Sequence, residues 1–190
     1  PALPGGWTTQ LVTGQAGDLA WQTTTAATDT APNAAFANDP AHVTDKVLDS
    51  QVFPITSASA QLTFRNSYSL ETGFDGAVLE IKIGGGVFQD ILAAGGSFVT
   101  GGYTHTISTS HSNPIGGRSA WSGSSGGFLT TTVNLPASAN GQTVVLRWRV
   151  ATDSCSSGRP DPARRCWPGP SRGCCRRSTT RRRWRQRWLP

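Results

Sequence analysis

A chain of 190 residues is long enough for one domain, or for one domain and a tail. Only 15% of the residues are charged, Met is absent, and 22 Gly and 12 Pro cut the sequence into short segments, which argues against a helical bundle and suits an all-β protein. No apolar run reaches the roughly 18 residues that a transmembrane helix needs. The net charge of +6 conceals a split: residues 1–158 hold six basic and ten acidic groups, a net of −4, whereas residues 159–190 hold eleven Arg and one Asp.

The chain begins Pro1-Ala2-Leu3-Pro4 and is read as a mature protein or as a piece of a longer one. Residues 23–50, rich in Thr, Ala, Asp, Asn and Pro without clear period, predict a long ordered loop. Residues 61–65 alternate, with Leu62 and Phe64 on one face and Thr63 and Arg65 on the other. Residues 78–83 set Leu79, Ile81 and Ile83 against Val78, Glu80 and Lys82. Gly84-Gly85-Gly86 followed by residues 87–91 predicts a hairpin. Residues 144–150 alternate most clearly, with Val144, Leu146, Trp148 and Val150 inward and Val145, Arg147 and Arg149 outward. Such alternation marks antiparallel sheets packed on one side. The pattern predicts an antiparallel two-sheet sandwich of jelly-roll or MAM-like kind, in which Leu62, Phe64, Leu79, Ile81, Leu146, Trp148 and Val150 share one core.

Pro4-Gly5-Gly6-Trp7-Thr8-Thr9 followed by Trp21 resembles the opening of jelly-roll adhesin domains of secreted bacterial proteins, including the cleaved-adhesin domains of gingipains. Leu62-Thr63-Phe64, Tyr68-Ser69-Leu70-Glu71 and Phe74-Asp75-Gly76-Ala77-Val78-Leu79-Glu80-Ile81 are similar to the same group, and to the MAM-like sandwich at the end of immune-inhibitor-A peptidases. Asn113-Pro114-Ile115-Gly116-Gly117-Arg118-Ser119-Ala120-Trp121 and the stretch from Val144 to Asp153 continue the resemblance, which spans roughly residues 4–153. It implies a β-sandwich, an extracellular setting and structural calcium, and speaks more to fold than to activity.

The resembled pattern continues with a Gly-Trp and a short apolar strand carrying an Asp, where this chain has Arg159-Pro160-Asp161-Pro162. Residues 159–190 lack Val, Ile, Phe, Tyr, Asn and Lys and abound in the residues that GC-rich codons specify in a shifted frame. The expectation is a sandwich over residues 1–158 without its last strand, and a disordered frameshift tail over 159–190, with a basic arm as the alternative.

Gly123-Ser124-Ser125-Gly126-Gly127 matches a serine-nucleophile motif in form, but strand-like residues follow it and no His comes after Ser125, so a turn is the reading and no catalysis is expected. Asp29, Asn33, Asp39, Glu71 and Asp75 are candidate oxygen ligands for a structural Ca²⁺, which takes roughly six to eight hard oxygens. Asp45 and Asp49 lie in the same polar stretch as three of them. His42, His105 and His111, and Cys155, Cys166, Cys174 and Cys175, have no zinc spacing. Trp7, Tyr68, Tyr103 and Trp121 are a candidate sugar-stacking platform, although aromatic residues in a β-sandwich more often pack in its core or at its edge. Residues 181–188 interleave Arg with Trp and would bind phosphates in solution, although a nucleic-acid role is not expected of them. The expected function is a non-catalytic accessory module of a secreted or surface bacterial protein, one domain of a larger parent, binding an extracellular protein or carbohydrate. The alternative is a fragment of an extracellular peptidase whose catalytic domain lies outside this chain.

Overall fold

The computed structural model describes residues 2–154 and, by backbone alone, 183–187. In chain order the strands are β1 (Thr8–Thr13), β2 (Gln22–Thr24), β3 (Ala34–Asn38), β4 (Thr44–Asp49), β5 (Phe53–Pro54), β6 (Gln61–Ser69) and β7 (Gly76–Ile83). They continue as β8 (Gln89–Asp90), β9 (Ser97–Thr100), β10 (His105–Thr106), β11 (Ser119–Ala120), β12 (Leu129–Asn134), β13 (Thr143–Thr152) and β14 (Arg183–Arg187). One sheet runs β1-β4-β13-β7-β8, with β5 paired to the start of β13. The other runs β2-β3-β14-β6-β12-β9, and β10 and β11 form a separate hairpin. Every pairing is antiparallel.

The alternation along β13 sets the register of the first sheet. Val144, Leu146, Trp148 and Val150 lie opposite Ile83, Ile81, Leu79 and Ala77 of β7, and Trp148 and Val150 also face Leu48 and Lys46 of β4. The expected core forms: Phe64, Leu79, Ile81, Leu146, Trp148 and Val150 are buried in one cluster, with Leu62 packed against it. Phe64 meets Trp148 edge-on at 5.5 Å between ring centres and Trp121 at 5.9 Å, joining the two sheets.

The residue range 23–50 departs from the expected loop, because β3 and β4 lie inside it. Small residues let β3 bury Ala35 and Ala37 without a strong apolar signature, and β4 buries Thr44, Asp45 and Lys46 beside Val47 and Leu48. Val78, on the face opposite the predicted core, is also buried. It joins Ile107, Ile115, Ala120 and Ala151 in a second, smaller core on the outer side of the first sheet. Gly76 permits that cover, since a Cβ there would stand 2.7 Å from Ile107 Cδ1.

Within the tail, Arg183–Arg187 forms β14 between β3 and β6. Trp184 sits at the register of buried Ala37 and Tyr68, and Gln186 at that of buried Ala35 and Asn66. The three arginines take the alternate positions, so a period of two is present even in this basic segment. Cys155, Cys166, Cys174, Cys175 and the other tail residues fall outside the described ones.

Replacing Phe64 with Ala removes the ring that both Trp121 and Trp148 pack against. The expected loss is about 3–5 kcal/mol in a denaturant melt, the range for a buried Phe. Arg147→Ala, on the outer face of β13, is expected to cost clearly less.

Candidate functional site

The outer faces of the two sheets differ. On the first, Arg147 forms a two-pronged pair with Asp49 at 2.7 and 2.8 Å, and its guanidinium lies 3.6 Å from the ring centre of Phe88. Arg149 pairs likewise with Asp45 at 2.8 Å and reaches Glu80 at 3.4 Å. Arg118, from the covering segment, donates to Glu80 at 2.6 Å and to Asp90 at 2.9 Å, and the Tyr103 hydroxyl donates to Asp90 at 3.1 Å. Paired guanidinium and carboxylate groups, reinforced by the small outer core, occupy this face.

The second sheet carries an outer face of hydroxyls and amides. Gln61 Nε2 donates to Asn134 Oδ1 at 2.8 Å, and Asn134 Nδ2 donates to Ser97 Oγ at 3.1 Å, forming one row across β6, β12 and β9. The next row pairs Thr63 with Thr132 at 3.3 Å, and the one after joins Arg65 to Thr130 at 2.8 Å. Gln61, Thr63, Thr130, Asn134 and Ser97 are all exposed. Side chains directly opposite on neighbouring strands are fixed in register by the ladder, so these rows form an ordered array, with a register shift between Thr132 and Val133 where β12 meets β9.

One end of the sandwich interior is polar. Thr44 and Thr152, both buried, share a hydroxyl contact of 2.9 Å, and the Thr152 hydroxyl donates to the His42 carbonyl at 2.6 Å. His42 Nε2 lies 2.7 Å from Asp18 Oδ2. Lys46, wholly buried on β4, crosses toward β3 and donates from Nζ to the carbonyl oxygen of Asn38 at 2.9 Å and to Asn38 Oδ1 at 2.6 Å. Burial lowers its amine to about 8, against the opposing pull of the Asp18 and Asp39 carboxylates. Asp75 is buried beside Asp39 and Asp153, and its Oδ1 accepts the Asp153 backbone N–H at 2.8 Å. Burial first, and then the Asp39 and Asp153 charges, push the Asp75 carboxyl up to about 9.

The proposed oxygen ligands separate. Asp39 and Asp75 come together, joined by Asp153. Asp29 instead pairs with Arg65 at 2.9 Å. Asn33 lines a surface cavity bounded by Leu3, Pro4 and Pro32. The backbone carbonyl of Glu71 takes the Ser122 hydroxyl at 3.0 Å and the Asp75 N–H at 3.0 Å. Among the described residues no group of three or more His, Cys, Asp or Glu side chains is arranged to hold a metal ion. Lys46 and Asn38 were not singled out from the sequence. The signal lay in the spacing of Thr44, Lys46 and Leu48, whose period of two puts a lysine on the core face of β4.

Ser125 is built into a turn. Its Oγ accepts the Tyr68 N–H at 2.9 Å and lies within hydrogen-bond reach of the Gly127 and Tyr68 carbonyls, at 2.7 and 3.2 Å. Gly123 and Gly126, with φ of +78° and +70°, supply the left-handed backbone that the turn needs on either side. The four aromatic residues weighed for sugar stacking take the core and edge packing usual for rings in a sandwich. Trp121 is enclosed by Phe64, Phe98 and Tyr103, Tyr68 is buried, and Trp7 packs on Trp148 at 6.0 Å, so these rings make core contacts and no common surface.

Neither a family model nor a curated protein matches the chain. Among solved structures, the chain is similar to the K1 cleaved adhesin domain of Lys-gingipain from Porphyromonas gingivalis W83, at 13% identity over 80% of this chain and 89% of that one, with a TM-score of 0.39. The K2 cleaved adhesin domain of Lys-gingipain is similar at 16% identity over 80% and 88% of the two chains, with a TM-score of 0.36.

An acid whose folded value lies above its unfolded one takes up a proton on folding, so its contribution to stability falls as pH rises between the two values. For Asp75 that window runs from 3.8 to about 9. Melting across it is expected to show falling stability toward high pH. Asp75→Asn, which keeps an oxygen for the Asp153 N–H, is expected to flatten that slope and to raise the midpoint at pH 8.

Proposed function

We propose that this sandwich is a non-catalytic accessory module of a secreted or cell-surface bacterial protein, binding an extracellular protein or carbohydrate through the outer face of β6, β12 and β9. The observation that carries this reading is the contrast between the faces. The first sheet's outer side is taken up by ion pairs and a second small core, whereas the second presents hydroxyl and amide rows to solvent. Groups already held in place by their neighbours lose little freedom when a ligand replaces water on them, which favours binding. The locked surroundings of Ser125 support the non-catalytic part of the reading.

Arrays of immobilised glycans and of extracellular matrix proteins test it. The chain is expected to bind at least one of them, and Thr63→Glu with Thr132→Glu is expected to reduce that binding at least tenfold without moving the melting midpoint. Binding untouched by the double substitution would remove this face from the account.

Structural calcium, implied by the resemblance, stays outside this reading, since the carboxylates that gather are Asp39, Asp75 and Asp153 and form no ready metal set. A melt in millimolar Ca²⁺ and again in chelator decides the matter. A rise of several degrees with Ca²⁺ adds the ion to the module, and coincident curves leave the acids to share a proton.

A further inference from the structure

Lys46 is fully buried, and its hydrogen bonds run to the two oxygens of one neutral residue, Asn38. Among the described residues no carboxylate stands within ion-pair distance of Nζ. A buried ammonium held only by carbonyl oxygens is costly, and removing its charge relieves that cost. The residue it touches carries a carboxamide, an acyl group whose oxygen lies 2.6 Å from the amine. Nucleophile and acyl group are thus held in contact, away from water, by strands of opposite sheets.

We propose that Lys46 and Asn38 become joined by an intramolecular amide bond that ties β4 of the first sheet to β3 of the second. The Nζ lone pair of the neutral amine forms a bond to Asn38 Cγ, and the Cγ–Nδ2 bond breaks with its electron pair going to nitrogen. One proton leaves Nζ and one is gained by Nδ2, so an amine and a carboxamide give a secondary amide and ammonia, with no oxidant or other reactant consumed. Asp39, which follows Asn38 directly in the chain and whose charge acts on Lys46 from beyond ion-pair distance, is assigned the transfer of that proton through an intervening water. Burial, which lowers the amine to about 8, supplies a substantial neutral fraction near neutral pH. The Asp39–Asp75 carboxyl pair, sharing its hydrogen bond in the same polar end, gives the proton a place to rest between the two steps.

Mass spectrometry of the purified full chain, with its four cysteines reduced, is the test. The expected intact mass is the sequence mass less one ammonia. Trypsin applied to the unfolded chain is expected to leave Lys46 uncut and to release residues 1–65 as one peptide lighter by the same amount. Asn38→Ala and Lys46→Ala are expected to restore the full sequence mass, and Asp39→Asn to slow the loss at least tenfold in freshly folded protein. An unmodified wild-type mass after prolonged incubation of the folded chain at pH 8, with trypsin cutting after Lys46, overturns the proposal. A loss of water in place of ammonia moves the bond to a carboxylate and overturns the assignment to Asn38. A loss of ammonia that survives Lys46→Ala places the chemistry elsewhere in the chain and overturns it too. The wild-type mass and the tryptic cleavage after Lys46 decide the proposal by themselves, so a variant that fails to fold leaves the test intact.

Discussion

The edge-to-face contact between Trp148 and Phe64 holds the rest of the molecule in place. Trp148 lies in the middle of β13, the central strand of the first sheet, and Phe64 lies on β6 in the second. Rings continue the contact in both directions, through Trp7 on one side and through Trp121 to Phe98 and Tyr103 on the other. The Trp121 indole N–H is satisfied by the Gly101 carbonyl at 2.7 Å, so these large groups are buried without stranding that donor. Rings of this size packed edge to face fill the roughly 10 Å gap between packed sheets. That gap in turn decides what a side chain can reach from one sheet to the other, Lys46 to Asn38 included.

Legibility in the sequence followed the chemistry of each strand. In β6, β7 and β13 apolar residues alternate with polar ones, and their inward faces could be read directly. β3 and β4 escaped because alanines and buried polar groups occupy the positions where an apolar stripe would have been visible. The outward positions of β7 misled for another reason. Val78 lies on the outer face of its sheet yet is buried, since a segment far along the chain folds back over it. Alternation reports which side of a strand a residue takes, and it is silent about what later covers that side. The same limit applied to the aromatic residues: type and number were readable, but only the packing shows them turned inward.

The polar end and the candidate ligands show the same division. Asp39 and Asp75 were legible as acids of interest, whereas their meeting with Asp153 depends on β13 ending beside the start of β7. Asp29 looked equivalent in sequence and is spent on Arg65, a pairing across 36 residues that no local pattern announces. The open sheet face was readable strand by strand, yet its rows exist only through the registry of β6 with β12 and of β12 with β9. Among the described residues the two outer faces therefore differ: one closes upon itself through ion pairs, and the other carries exposed rows of hydroxyls and amides.

The position of β14 bears on how the molecule is made. β3 and β6 are synthesised early, yet the strand that bridges them is drawn from the far end of the sequence. Until the ribosome has translated through Arg187, that sheet consists of two pieces, with the backbone amides and carbonyls along the intervening gap satisfied by water or by whatever extended segment is nearby. Folding vectorially from the amino terminus thus cannot finish the job. Before β14 is in place the first sheet can be complete while the second is split, and joining β3 to β6 through β14 is a long-range pairing of the slow kind that high contact order imposes.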